Sequence, residues 1–135
     1  MKHRIYNNAM YQFDSPEESL WEATPGNRLA ISNKLSGEKI SDIAIIGGGY
    51  TGLSTAYHLA KKYNISSSVI DAGHIGWGAS GRNGGFCSMG GSAESLDTLI
   101  KKYGLEDVKK YYQCQIEAIE LVRKIIIGED IDIKI

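Results

Sequence analysis

The chain is poor in cysteine, proline and histidine, and it carries almost no net charge. The two cysteines, Cys87 and Cys114, stand in neither a metal-ligand nor a redox spacing, so free thiols in a reducing compartment are expected. A net charge of −1 gives no basic field for nucleic acid or an anionic membrane surface. No apolar run approaches the ~18 residues of a membrane span. The opening Met-Lys-His-Arg is not followed by the apolar stretch of a signal peptide, so a cytoplasmic chain is the expectation. His3, His58 and His74 are the only histidines, and the isolated placement of His58 and His74 fits solvated roles better than catalysis. No catalytic acid, base or nucleophile is assigned, and no metal site is expected. With 135 residues, 42% apolar and 23% charged, the chain has the composition of one soluble globular domain, able to bury roughly two thirds of its unfolded surface.

Glycine is what the chain has in number, sixteen in all. The stretch from Asp42 to Asp71 organises the rest. It reads as an apolar strand, Asp42-Ile43-Ala44-Ile45-Ile46, then Gly47-Gly48-Gly49-Tyr50-Thr51-Gly52, then a helix to Tyr63, then a second strand, Ser68-Val69-Ile70, ending in Asp71. Gly47 allows the tight turn out of the strand. Gly49 lets the backbone approach a pyrophosphate, and Gly52 lets the helix pack closely on the strand. The free N–H groups and positive end of a helix starting near Tyr50 and Thr51 then face the phosphates. Asp71, with Ala72 after it, lies about 20 residues past the glycines, where a carboxylate meets ribose hydroxyls. Sixteen glycines make a chance Gly-x-Gly-x-x-Gly easy, so a glycine turn without a ligand is the alternative. The strand before, the helix after and the acid at the right interval favour a dinucleotide.

Residues 1–41 read as an arm ahead of a core at 42–135. Ser15-Pro16-Glu17-Glu18 has the form of a helix start, stopping before Thr24-Pro25-Gly26. Tyr6, Tyr11, Phe13, Leu20 and Trp21 are scattered among polar residues, and Trp21 and the tyrosines are expected to anchor the arm on the domain surface rather than to touch a substrate. Ser36-Gly37-Glu38-Lys39 is a polar turn. The helix after the glycines presents Leu53, Ala56, Leu59 and Ala60 to the sheet, with Lys61 and Lys62 at its C-terminus. A right-handed crossover makes the two strands parallel neighbours, with Val69-Ile70 buried.

From Ala72 to Phe86 the chain has neither helical nor strand period. Gly-rich stretches of that length inside a domain are functional or flexible. Trp77, Arg82 and Asn83 favour function: Ser80 and backbone N–H groups suit phosphate oxygens, and Arg82 adds a charge-assisted bond to the same anion. A helix is expected over 94–103, stopped by Gly104. A longer one follows over 106–127, with Val108, Tyr112, Ile116, Ile119, Val122 and Ile126 as one buried stripe, ended by Gly128. Ile131 to Ile135 alternates as a half-buried strand. There is no internal repeat.

The glycine turn and the string Gly76-Trp77-Gly78-Ala79-Ser80-Gly81-Arg82-Asn83-Gly84-Gly85 together resemble the FAD-dependent amine and amino-acid oxidoreductases of the D-amino-acid oxidase superfamily, closest in the gamma-glutamylputrescine oxidoreductase branch. The resemblance runs over nearly the whole chain, and the second string is far more specific than the first. It implies an α/β fold with a Rossmann-like FAD-binding βαβ unit, glutathione-reductase-like, interleaved with an antiparallel substrate-binding sheet. It implies FAD as cofactor, held by Gly47, Gly49, Tyr50, Thr51 and Gly52 at the pyrophosphate, by Asp71 and Ala72 at the adenosine ribose, and by Ser80, Gly81, Arg82, Asn83, Gly84 and Gly85 along the pyrophosphate towards the flavin. Two positions depart from the family pattern: Asp71, where glutamate is more usual, and Phe86-Cys87, where glutamine is expected. An NAD-binding module is a further alternative, which the Ser80–Gly85 loop argues against.

Members of that family are much longer. The resemblance therefore implies the N-terminal portion of such an enzyme, incomplete at the C-terminus: a fragment, a truncated product, or one half of a split protein completed by a second polypeptide. Two or three short strands would also leave both sheet edges open. The whole enzyme is expected to oxidise a small amine or amino acid. The alternative is an inactive nucleotide-binding module or remnant.

Overall fold

The computed structural model describes residues 7–13, 19–23 and 34–133. The chain divides into two units, Met1–Gly84 and Gly85–Ile135.

In the first unit, the β-branched run after Asp42 forms β1, Ala44–Ile46, and the run before Asp71 forms β2, Ser68–Ile70. They pair in parallel, with Ala44 opposite Ser68, Ile45 opposite Val69 and Ile46 opposite Ile70. The ladder extends at both ends, from Ser68 N–H to Ile43 O (2.9 Å) and from Gly47 N–H to Ile70 O (2.8 Å). A parallel pair requires a crossover. One helix makes it: α2, Tyr50–Tyr63, numbered after the short arm helix α1, Leu20–Ala23, which precedes β1. α2 packs on both strands. It begins at Gly49, which offers no side chain to cap it, and ends at Asn64, left-handed at φ 54°, whose N–H reaches Ala60 O. Asn tolerates that conformation best after glycine, and Lys61 and Lys62 in the last turn suit the helix dipole.

The layer is thin. β2 is at most half-buried, Ile46 is exposed, and on α2 Leu53 and Ala60 are exposed where a sheet-facing stripe was expected. Two three-residue strands offer too little area to cover a 14-residue helix. Among the described residues of this unit, the one deeply buried large side chain is Trp77, 6% exposed, in the glycine-rich segment after β2. That segment folds into successive turns and one 3-10 turn, Ala79–Gly81. In the arm, a 3-10 turn spans Asn8–Tyr11. The expected helix start at Ser15–Glu18 and stop at Thr24–Gly26 lie outside the described residues.

The second unit is a helical pair. α3, Leu96–Tyr103, is capped by Ser95, whose hydroxyl accepts from Thr98 N–H (3.3 Å). Gly104, at φ +82°, both ends α3 and starts α4, Leu105–Gly128. Leu99 and Val108 are buried where the two helices meet. Exposed Glu106–Lys109 and Asp107–Lys110 pairs (2.9 Å each) support the first turns of α4 by a few tenths of a kcal/mol at most.

Two expectations for this unit are corrected. The α4 stripe is not buried along its length: Val108 is, Tyr112, Ile119 and Ile126 are half-buried, and Ile116 and Val122 are exposed. An eight-residue helix is about 12 Å long and a 24-residue one about 36 Å, so α3 covers only the start of α4. The strand expected from Ile131 is not formed at 131–133. α4 instead ends in a left-handed Asp130 (φ 50°), with Ile131 N–H bonded back to Ile126 O (3.0 Å). An alternating run needs a neighbouring strand to satisfy its backbone, and none is present among the described residues. Lys134 and Ile135 lie outside them.

Leu99→Ala is expected to cost the second unit about 2–4 kcal/mol, whereas Val122→Ala should change its stability by less than about 0.5 kcal/mol. Urea denaturation followed by helical circular dichroism distinguishes the two. Equal losses would mean that α4 is covered further along than the structure places it.

Candidate cofactor-binding site

The site is built by one end of the β1–α2–β2 unit and the segment that follows β2. Gly47 leaves β1 at φ +106°, a conformation that side chains rarely adopt. A Cβ at Gly52 would overlap Gly47 O, so the first turn of α2 lies directly on the turn that feeds it. These are the roles the sequence assigned to Gly47 and Gly52.

Asp71, at the tip of β2, turns back onto the glycines. Its Oδ2 accepts from Gly48 N–H (2.6 Å) and its Oδ1 accepts from Gly73 N–H (2.8 Å). Gly48 O in turn accepts from Gly76 N–H (3.0 Å). Gly48 is thus the junction of three segments. It is buried, and a Cβ there would meet Ile75 Cδ1 at 2.7 Å. The sequence reading gave Gly48 no role; the signal available was a third consecutive glycine where the spacing needs only two. Each Asp71 oxygen retains a lone pair, so a ribose contact remains open to it. The short aspartate arm fits a backbone brace well.

At the N-terminus of α2, Tyr50 N–H donates to Ser80 Oγ (2.9 Å). Thr51 and Gly52 have no intrahelical acceptor for their N–H groups, as first-turn residues. The Ser80 hydroxyl accepts one bond and keeps its own proton to donate. A Cβ at Gly49 would meet Ser80 Oγ at 2.8 Å, so the bare glycine leaves room for that hydroxyl. Ser80 is held by Asn83, whose side-chain amide donates to Ser80 O (2.9 Å), Ala79 O (3.0 Å) and Tyr50 Oη (3.3 Å). Asn83 is therefore a clamp on the 3-10 turn.

Arg82 packs its guanidinium over the Trp77 ring, Cζ 4.5 Å from the centroid. Its Nε and Nη2 are buried and have no hydrogen-bond partner among the described residues. Desolvated charged donors without acceptors are costly, and a bound anion would satisfy them. The donor set fits a diphosphate: helix-end amides, a hydroxyl with a free proton, and a cation two residues further on. Gly81 lies within the 3-10 turn, Ala72 follows Asp71, Gly84 closes the first unit and Gly85 opens the second. Cys87, in the second unit, is an exposed free thiol.

A separate open groove of about 430 Å³ lies in the second unit, lined by Leu99, Tyr103, Val108 and Tyr111 with Asp107. Its charged group is a carboxylate, which repels a phosphate. Among the described residues, no cluster of three or more His, Cys, Asp or Glu could hold a metal ion, and no helix is long and apolar enough to cross a membrane.

Residues 42–134 match the model of the FAD-dependent oxidoreductase family. The chain belongs to that family. Its α/β unit is accordingly a Rossmann-like FAD-binding fold, and FAD is its cofactor. It is similar to the gamma-glutamylputrescine oxidoreductase of Escherichia coli (strain K12), 35% identical over 84% of this chain and 26% of the relative. A probable oxidoreductase OrdL of Rhizobium meliloti (strain 1021) is 48% identical over 53% of this chain and 16% of its own length. The sarcosine oxidase subunit beta of the same organism is 49% identical over 31% of this chain and 10% of its own. The chain thus spans about a quarter, or less, of the curated relatives it matches. No solved structure matches it significantly.

Asp71→Ala strands the N–H groups of Gly48 and Gly73 and is expected to destabilise the first unit by about 2–4 kcal/mol. Asp71→Asn keeps one acceptor oxygen and should lose about half as much. Denaturant titration measures both. A loss below about 0.5 kcal/mol for the alanine variant would mean that the carboxylate does not brace the turn.

Proposed function

We propose that this chain forms the dinucleotide-holding part of a flavoenzyme that oxidises a small amine or amino acid. The observation that carries the reading is the Ser80 hydroxyl at the α2 N-terminus, 2.9 Å from Tyr50 N, with the buried Nε and Nη2 of Arg82, two residues on, lacking a hydrogen-bond partner among the described residues. The substrate class rests on the relatives: a gamma-glutamylputrescine oxidoreductase and a sarcosine oxidase subunit, both named for amines.

When bound, FAD supplies the ring that accepts a hydride from the carbon bearing the amine. The chain's own residues bind and orient it. Thr51 and Gly52 N–H groups, with Ser80 Oγ–H, donate to the diphosphate. Arg82 neutralises part of its charge. Asp71 holds the turn in shape and offers its remaining lone pairs to the adenosine ribose, next to Ala72. Gly84 and Gly85 continue the backbone towards the flavin. The complete enzyme has the glutathione-reductase-like arrangement and further chain beyond these residues, in the same polypeptide or in a complementing one, and it works in the cytoplasm.

A second reading is a chain that binds the nucleotide and catalyses nothing alone. The coverage of about a quarter of the gamma-glutamylputrescine oxidoreductase favours it. Amine-dependent bleaching of bound flavin, with or without added downstream polypeptide, separates the two.

Gly49→Val places a branched side chain against Ser80 and the diphosphate path. It is expected to weaken FAD binding, read by flavin fluorescence or calorimetry, by at least about 100-fold, as displacement of the Ser80 hydroxyl and the loss of its bond to a charged acceptor together imply. NAD should bind far more weakly than FAD to the unaltered chain. Unchanged FAD affinity in Gly49→Val would remove the glycine turn from the site.

A further inference from the structure

Among the described residues, the arm touches the segment after β2 through Trp21 and Phe13, and each contact leads to one of the anion-facing residues. Trp21 Nε1–H donates to Asn83 O at 2.7 Å, across 62 residues of sequence. The Asn83 side chain fixes the turn that carries Ser80, and Ser80 Oγ receives Tyr50 N–H. Phe13 packs on Trp77, ring centroids 4.9 Å apart and tilted by 57°. Trp77 in turn carries the Arg82 guanidinium. Neither Phe13 nor Trp21 adds a donor to the cradle itself.

We propose that the arm is a strap that positions the anion-binding segment, with Trp21 acting through Asn83 on Ser80, and Phe13 acting through Trp77 on Arg82. Trp21 and Phe13 are positioning residues for the diphosphate, and the claim rests on the proposed function above. The physical reason is economy of order. A glycine-rich run has many accessible conformations, and holding Ser80 and Arg82 in one geometry before binding removes that ordering cost from the binding step. Within the first unit, the segment from Ala72 to Gly84 contributes no strand and only a three-residue 3-10 turn. Its order therefore comes from Asp71, Gly48 and Asn83 on one side and from the arm on the other.

The test compares Trp21→Phe, which removes only the indole N–H, with Phe13→Leu, Ser80→Ala and Arg82→Ala in the full chain. Two readouts are used. The first is amide hydrogen exchange without ligand. Trp21→Phe is expected to speed exchange at Tyr50, Gly81 and Arg82 by about 3- to 10-fold, the net worth of one neutral hydrogen bond, while the Gly47 amide in the sheet ladder stays unchanged. The second is FAD affinity in a double-mutant cycle. Trp21→Phe should weaken binding by a similar factor in the unaltered chain and by much less in the Ser80→Ala background. A merely stabilising role would give additive losses and uniform exchange. Additive losses, or unchanged exchange at Tyr50 and Arg82, overturn the strap. If Ser80→Ala and Arg82→Ala weaken FAD while Trp21→Phe and Phe13→Leu do not, the strap fails and the proposed function stands. If none of the four alters FAD binding, the proposed function fails, and the strap with it.

Discussion

The carboxylate of Asp71 is the constraint on which the candidate site depends. It ties the tip of β2 to Gly48 and to Gly73, so one charged group joins the second strand, the glycine turn and the start of the loop. Hydrogen bonds to an ionised acceptor are about twice as strong as neutral ones. They are needed here because little else holds the turn. The sheet has two strands of three residues, and the glycines bring no side chains to pack. With the turn fixed, α2 starts where it does, and its first amide, Tyr50 N–H, meets Ser80 Oγ.

The local parts of this arrangement were legible in the sequence. Short apolar runs placed β1 and β2, and period-3.6 apolar patterns placed α2, α3 and α4, within a few residues of their observed limits, because each is set by short-range preference. Gly47 and Gly52 were legible because their roles are backbone geometry that no other residue fills. The rest depends on contacts between distant residues. Nothing in the spacing says that Asp71 would turn back onto Gly48, that Asn83 would clamp Ala79 and Ser80, or that Trp21 would reach Asn83. Trp77 was read as functional, and it is first of all the buried platform of its unit. The α4 stripe and the strand from Ile131 failed for the opposite reason. Periodicity states which face an element would bury, but burial requires a partner, and the described residues supply one only near Leu99 and Val108.

Several apolar side chains on regular elements are uncovered among the described residues. Ile46, Leu53, Ile116 and Val122 are exposed apolar groups on regular elements, at positions whose patterning suits burial. The first unit differs from the second in this respect. Its chemistry-bearing residues are already placed by contacts internal to it, from Trp21 to Asn83, whereas the second unit has, among the described residues, two buried apolar side chains and a long helix beyond them.

The central claim is that the α2 amides and the Arg82 guanidinium receive the diphosphate of FAD. The most direct measurement is a proton–nitrogen NMR titration of the labelled chain with FAD, following the Thr51 and Gly52 amides and the Arg82 side-chain Nε–H. The expected result is large, saturable shifts at all three, with the Arg82 Nε–H becoming slow to exchange with water. Shifts confined to the second unit, around Tyr103 and Tyr111, with Thr51, Gly52 and Arg82 unmoved, would contradict it.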